Sequence, residues 1–187
     1  MKIIITEKQA NEIAKLLNES KSEIEKELKK VNTDPSEAQK KAGNYKMGHI
    51  TFSGFEISIE NPKGSYRKYK NEDGTDGKNL MKNHYGYFTN TMGKDGDQID
   101  VFLGNNEDSD SVFVVDQNND KKEFDESKVM LGFNTKSEAK KAYMNNYNKN
   151  WKGFRNITEI NIEDFRKWLY SGKKQRKPFS DYSIVNK

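Results

Sequence analysis

A chain of 187 residues, 32% hydrophobic and 33% charged, can hold one domain of ordinary size with a short appendage but not two full cores. The absence of cysteine excludes a disulfide framework, thiolate metal ligands and cysteine nucleophiles. With 33 basic against 29 acidic residues the net charge is only +4, so a general polyanion surface is not expected, and the cluster Lys173, Lys174, Arg176 and Lys177 reads as a solvated basic tail rather than a nucleic-acid contact.

At the N-terminus, Ile3, Ile4 and Ile5 are the only continuous apolar stretch before charged residues, far short of a signal-peptide core or of a span of about 20 apolar residues. A protein retained in the cytoplasm, without a membrane partner, is expected. From Thr6 to about Val31, Ala10, Ile13, Ala14, Leu16, Leu17, Ile24 and Leu28 recur at helical spacing, and Thr6 with Gln9 can form a capping box. The stripe is thin over the charged half from Glu19 to Lys30, which is expected to project from the body or lie on a partner. A helix of this kind is marginal alone in water and must dock on the domain or on another chain. Asn32 to Ser36 then breaks it, so residues 1–35 read as an N-terminal amphipathic helix and linker.

From His49 to Phe133 short alternating segments are separated by Gly, Pro, Asn and Asp. Strands are expected around Ile50 to Ile59, Tyr85 to Thr89, Ile99 to Leu103, Val112 to Val115 and Val129 to Phe133, with a meander or small barrel favoured over a parallel sheet. Helices follow from Ser137 to Tyr147, after Asn134-Thr135, and from Ile162 to Tyr170, after Asn161 with Glu163 and Asp164 suited to the first-turn dipole. The expected fold is α+β: a small five-stranded, closed or partly closed OB-like β-barrel over residues 36–170 with two C-terminal helices, and a basic tail from 171 to 187.

Asp95, Asp97 and Asp100 fall within six residues, around Gly96 and ahead of the apolar Ile99, Val101 and Phe102. Clustered carboxylates repel unless a hard cation neutralises them, and oxygen ligands suit Mg2+, Mn2+ or Ca2+; taken alone the run also fits a polar hairpin loop. An EF-hand does not fit, because the twelfth position from Asp95 is Asn106 rather than Glu. Glu123, Asp125, Glu126 and Lys128 precede Val129-Met130-Leu131 and by themselves read as a solvated turn. Lys63, Arg67, Lys68 and Lys70, interleaved with Tyr66 and Tyr69, read as an exposed strand or a phosphate contact, and His49 and His84, flanked by strand residues, as structural.

In order along the chain stand Glu60-Asn-Pro-Lys-Gly-Ser-Tyr-Arg-Lys68-Tyr-Lys70, His84-Tyr-Gly-Tyr-Phe and Asp95-Gly-Asp-Gln-Ile-Asp100-Val. Together they resemble the signature of soluble family I inorganic pyrophosphatases. The segments Glu37 to His49, Ile57 to Pro62, Val114-Val-Asp-Gln117, Phe124-Asp-Glu, Lys128 to Phe133, Trp151-Lys-Gly and Trp168-Leu are similar, more closely, to the pyrophosphatase-like domain of phage and mobile-element polyvalent proteins. The resemblance runs roughly from Ser36 to Tyr170. It implies that Asp95, Asp97 and Asp100 bind the metals, Mg2+ or Mn2+, with Asp97 as the water's partner. Asp116 and Glu126 complete the metal shell, with Glu60 as an outer ligand, while Lys68, Tyr85, Lys128 and Tyr147 hold phosphate oxygens. Four positions depart from the pattern: Gln98 stands for Pro, Lys70 for Glu and Asn148 for Lys, and no Arg lies at the matching distance before Tyr85, where Lys78 or Lys82 could substitute. The implied activity is hydrolysis of pyrophosphate or a related phosphoanhydride in the host cytoplasm. The alternative is a phage virion or interaction protein that keeps the fold without turnover and joins virion proteins, or a second copy of itself, through the N-terminal helix.

Overall fold

In the computed structural model, residues 6–70, 74–172 and 176–182 are described. Ile3 to Ile5, Lys173 and Lys174 lie outside them, as does the side chain of Leu17.

Thr6 is extended and caps the first helix, α1 (Glu7–Lys29): its hydroxyl accepts from the Gln9 amide while the Gln9 side chain accepts from the Thr6 amide at 2.9 Å. This is the capping box expected from the sequence. The halves of α1 reverse the expectation, however. Ile24 and Leu28, in the charged half, pack against the core, and the helix runs so close to the strand β1 (Gly48–Phe52) that a Cβ on Gly48 would stand 3.0 Å from the Glu27 carbonyl oxygen. Ile13 and Leu16, in the first half, are 47% and 60% exposed. The thin stripe suffices at the C-terminal end because a glycine lets the backbones approach.

A six-residue helix α2 (Glu37–Ala42), capped by Ser36 and Gln39, has no counterpart in the sequence reading, since its residues carry no apolar stripe. The strands β2 (Phe55–Asn61), β3 (Tyr66–Lys70), β4 (Asp76–Leu80), β5 (His84–Phe88), β6 (Asp100–Leu103), β7 (Ser111–Asn118) and β8 (Phe124–Leu131) follow, then α3 (Lys136–Asn145), β9 (Phe154–Asn161) and α4 (Ile162–Leu169). Seven strands form one sheet in the order β1-β2-β5-β6-β8-β7-β9, and β3 and β4 form a separate two-stranded ribbon. The expectation of a five-stranded barrel is corrected here: β9 extends the sheet beyond β7, and among the described residues β1 and β9 end the ladder without pairing with each other.

Neighbours in the sheet are antiparallel except β6 and β8, where Val101, Phe102 and Leu103 stand opposite Val129, Met130 and Leu131. Beyond this parallel triplet the two chains stay in contact: Gly104 donates to the Leu131 carbonyl at 2.7 Å, and a Cβ on Gly104 would fall 2.0 Å from the Gly132 oxygen. Both sheet faces are covered. Val112, Val114, Val129 and Leu131 belong to one core with Phe55, Phe88, Phe165 and Trp168, whereas Phe113, Val115 and Met130 belong to another with Phe102, Ala139 and Tyr143. This follows from the period-2 alternation of strand side chains. Among the described residues no helix is long and apolar enough to cross a membrane.

Because only its C-terminal half is docked, α1 should divide in a truncation test. Removing residues 1–19 is expected to leave the melting temperature nearly unchanged, while removing 1–34 lowers it by roughly 4–8 °C through loss of the half-buried Ile24 and Leu28. Equal melting temperatures for the two truncations would show that the docked half contributes nothing.

Candidate active site

The alternation that divides the cores also builds the site. On β8, Glu126 and Lys128 share a face, and the antiparallel register sets them opposite Gln117 and Val115 of β7. The parallel register of β6 brings Asp100, one residue before Val101, beside Lys128, one residue before Val129. Lys128, almost completely buried, bonds the Asp100 carboxylate through its ammonium and reaches Glu126 at 2.8 Å. From β5, the buried Tyr85 hydroxyl donates to the same Asp100 oxygen and stands 3.5 Å from the Lys128 nitrogen.

Behind this group, Gln117 donates to Glu126 at 3.0 Å and accepts from the hydroxyls of Tyr143 at 2.8 Å and Tyr147 at 3.1 Å. The Trp151 indole donates to Tyr143 at 3.1 Å and stacks on Tyr147 at 4.6 Å. Aromatic bodies thus close the rear of the site while their polar tips orient it.

In front lies a cleft of about 490 Å³, lined by the carboxylates of Asp34, Glu60, Asp95, Asp97, Asp100 and Glu126, by Tyr85, and by the cations Lys40, Arg67, Lys68 and Lys128. Burial pushes the Glu60 carboxyl up, against a hydrogen bond from Tyr45, and the charge of Asp100 adds to the rise. Burial raises Glu126 too, with Lys128 opposing and Asp100 reinforcing. For Lys128, burial alone would lower the ammonium, but Asp100, Tyr85 and Glu126 outweigh it and hold it well above 10.5. Burial likewise raises the Tyr85 phenol, so it stays a donor at neutral pH.

The loop before β6 is shaped by its backbone. Gly96 takes a positive φ of 93°, the Gly93 amide donates to the Asp97 carbonyl at 2.7 Å, and the Asp97 amide donates to the Asp95 carboxylate at 3.1 Å. Lys94, the loop's own cation, is drawn off to the Phe124 carbonyl and ring, so among the described residues Asp95 and Asp97 have no ion-pair partner, whereas Asp100 is paired with Lys128.

Eight residues singled out in the sequence, Glu60, Lys68, Tyr85, Asp95, Asp97, Asp100, Glu126 and Lys128, line this one cleft. Two do not. Asp116 lies between Val115 and Gln117 on the strand and therefore points to the opposite face, where its fully buried carboxylate accepts from Ser127 at 3.0 Å and from the amides of Phe179 at 2.6 Å and Ser180 at 3.2 Å. Asp116 thus lies away from the cleft and fastens the C-terminal turn Phe179–Asp181 to β7. Tyr147 bonds Gln117 rather than lining the cleft, so it positions Glu126 through Gln117 instead of touching the cleft's contents. His49 pairs with Ser58 at 3.1 Å, and His84 accepts from the Lys63 amide at 3.1 Å.

Three charged residues of the cleft lie outside the set that the resemblance implies, Asp34, Lys40 and Arg67, the last read in the sequence only within a basic run fit for an exposed strand or a phosphate contact. Arg67 sits with its guanidinium 4.7 Å from the centre of the Tyr85 ring and has no ion-pair partner among the described residues. It brings a cation to the cleft from β3, whereas Lys78 lines a separate groove beside the ribbon. The signal was the strand period, which places Arg67 on the face opposite exposed Tyr66 and Lys68.

Among the described residues no three acidic or histidine side chains are gathered closely enough to hold a metal ion. The donor set nevertheless fits a divalent cation in kind. Its ligands are hard oxygens, and Glu60 and Glu126 are part-buried carboxyls pushed up first by desolvation and further by the charge of Asp100, a repulsion that a bound cation relieves.

A mixed sheet carrying a cleft of interleaved carboxylates, guanidinium, ammonium and phenol defines a protein equipped to handle a polyanionic phosphate. The family model described as Inorganic Pyrophosphatase matches residues 37–170, more than half of the chain, and the chain belongs to that family. No curated protein matches it.

Proposed function

We propose that the cleft hydrolyses inorganic pyrophosphate or a related phosphoanhydride with the help of Mg2+ or Mn2+. The observation that carries this reading is the convergence of Asp100, Glu126, Lys128 and Tyr85 with Asp97 and Arg67 in one cleft of a pyrophosphatase-family chain. Asp95, Asp97 and Asp100, with Glu126 and the more distant Glu60, would hold the cation. When bound it supplies Lewis-acid polarisation of water and phosphoryl oxygens.

The chain's own residues do the rest. Asp97 takes a proton from the attacking water as its oxygen forms a bond to one phosphorus and the bridging P–O bond breaks. Arg67, Lys68 and Lys128 meet the charge on the transferred and departing phosphates, Arg67 with a planar two-pronged donor and the lysines as point charges. Tyr85 and Lys128 hold Asp100 in place throughout.

Phosphate release from pyrophosphate with Mg2+ or Mn2+, measured over about pH 6 to 9, tests the reading. No release from the purified protein would overturn it. In that event the rival reading takes its place, a phage virion or interaction protein without turnover, which the outward-facing Ile13 and Leu16 of α1 favour.

Metal binding has its own test. At about a hundredfold excess over Kd, Mg2+ or Mn2+ is expected to raise the melting temperature by roughly 5–10 °C. An Asp95→Asn/Asp97→Asn/Asp100→Asn protein should lose that shift, and an undiminished shift would place the cation elsewhere.

A further inference from the structure

One wall of the cleft comes from outside the family match. Thr33, Asp34 and Pro35 line it, although the matched residues begin at 37. This stretch is pinned at one end by α1, whose Ile24 and Leu28 pack on the core, and next to the wall by the Asn32 amide, which donates to the Lys46 carbonyl at 2.8 Å. The Asp34 carboxylate reaches across to Lys68, with Oδ1 2.6 Å from Nζ. Asp34 and Lys68 also line the neighbouring groove of about 520 Å³ between α2 and the β3–β4 ribbon, so their ion pair is the partition between two open spaces.

A carboxylate on an ammonium occupies the place that a phosphate oxygen would take. Both partners are substantially exposed, at 52% and 69%, so the pair is one that a stronger anion can displace. The Lys68 hydrogen bond, followed by its charge, holds the Asp34 carboxyl below the usual carboxylate range, so Asp34 is ionised at neutral pH.

We infer that Asp34 is an internal counter-ion that competes with anionic ligands for Lys68, so that the linker ahead of the family domain sets how readily the cleft accepts a phosphoanhydride. The inference rests on reading the cleft as a phosphoanhydride site. It gives the N-terminal segment a part in binding that the domain alone does not carry. An anion entering the cleft exchanges the Asp34 contact for its own, and the linker is then free of β3.

The test is binding of imidodiphosphate, a non-hydrolysable pyrophosphate analogue, to the full chain by calorimetry in Mg2+ buffer. Asp34→Asn, which keeps the shape and removes the charge, is expected to tighten binding by about fivefold. In a Lys68→Ala background the same substitution should change binding less than about twofold, because the competition is gone. Tightening of equal size in both backgrounds would mean a general field effect, and unchanged or weaker binding in Asp34→Asn would mean that Asp34 positions Lys68; either result overturns the inference while leaving the cleft an anion site. Failure of all variants to bind overturns both readings. Binding by Asp34→Asn alone supports the inference in its strongest form.

Discussion

Asp97→Asn is expected to cut phosphate release from pyrophosphate by roughly a hundredfold or more, while shifting the melting temperature in metal-free buffer by no more than about 2 °C. The separation follows from the loop. The turn uses the backbone amide and carbonyl of Asp97, and among the described residues its carboxylate bonds no other side chain, so an isosteric amide costs the fold little. What is lost is the proton acceptor and one anionic oxygen in the cleft. Asp95→Asn is a less clean test, because the Asp95 carboxylate accepts from the Asp97 amide and shapes the turn. Turnover by Asp97→Asn within threefold of wild type would remove Asp97 from the chemistry.

Lys128→Met is expected to have the largest effect on stability, a loss of about 3–5 kcal/mol near neutral pH, because it strands the Asp100 and Glu126 carboxylates beside each other without their buried cation. The pH dependence has a definite sign. In the wild-type protein the folded-state pKa of Lys128 lies above 10.5, so its contribution is complete below that value and is lost only as pH rises through the folded pKa. In the variant the governing groups are carboxyls pushed up, as Glu126 already is. A carboxyl raised in the folded state favours folding when protonated, and that advantage disappears as pH rises from its unfolded value through its folded one. Acidification from about pH 7.5 to about pH 5 should therefore raise the variant's melting temperature by more than the wild type's, in which Lys128 opposes the rise of Glu126. A variant as stable as wild type at neutral pH would show that the ion pairs are fully offset by their desolvation. Substrate use should fall with stability, since Lys128 both contacts the cleft and holds Asp100.

Local signals carried well from sequence to structure. The Thr6–Gln9 box and the Asn161 cap of α4, whose side chain accepts from the Asp164 amide at 2.9 Å, depend on residues three apart and needed no tertiary information. The motifs and the resemblance likewise pointed to eight residues of one cleft: Asp95 and Asp97 in the loop and Tyr85 and Asp100 at strand starts, with Glu60, Lys68, Glu126 and Lys128 placed by their strands. Non-local choices were harder to read. On β9, buried Ile157 and Ile160 are three residues apart rather than two, so the segment lacks strand alternation, yet it pairs with β7 along its length. The strand count of the sheet fell short for that reason and because the run read as one strand from Ile50 to Ile59 is the hairpin of β1 and β2. For Asp116 the resemblance and the strand period point different ways: motif position implies the metal shell, while the alternation of Val115, Asp116 and Gln117 sends its side chain to the other face. Arg67 is the converse case, a residue hidden in a basic run that the same period would have separated from its exposed neighbours.

The parallel triplet of β6 and β8 acts as an alignment gauge with a pin at each end. At one end Asp100 meets Lys128; at the other Gly104 runs against Gly132 with no room for a side chain. A slip of one residue would turn every side chain of the strand to the wrong face, draw Asp100 off the ammonium and push a bulkier neighbour into the Gly132 carbonyl. Correct alignment and correct chemistry are therefore tested by the same contact. Neutralising either charge loosens one pin and leaves only the glycine pin, so a silent variant at position 100 or 128 has to be judged by its folded fraction before its rate is read.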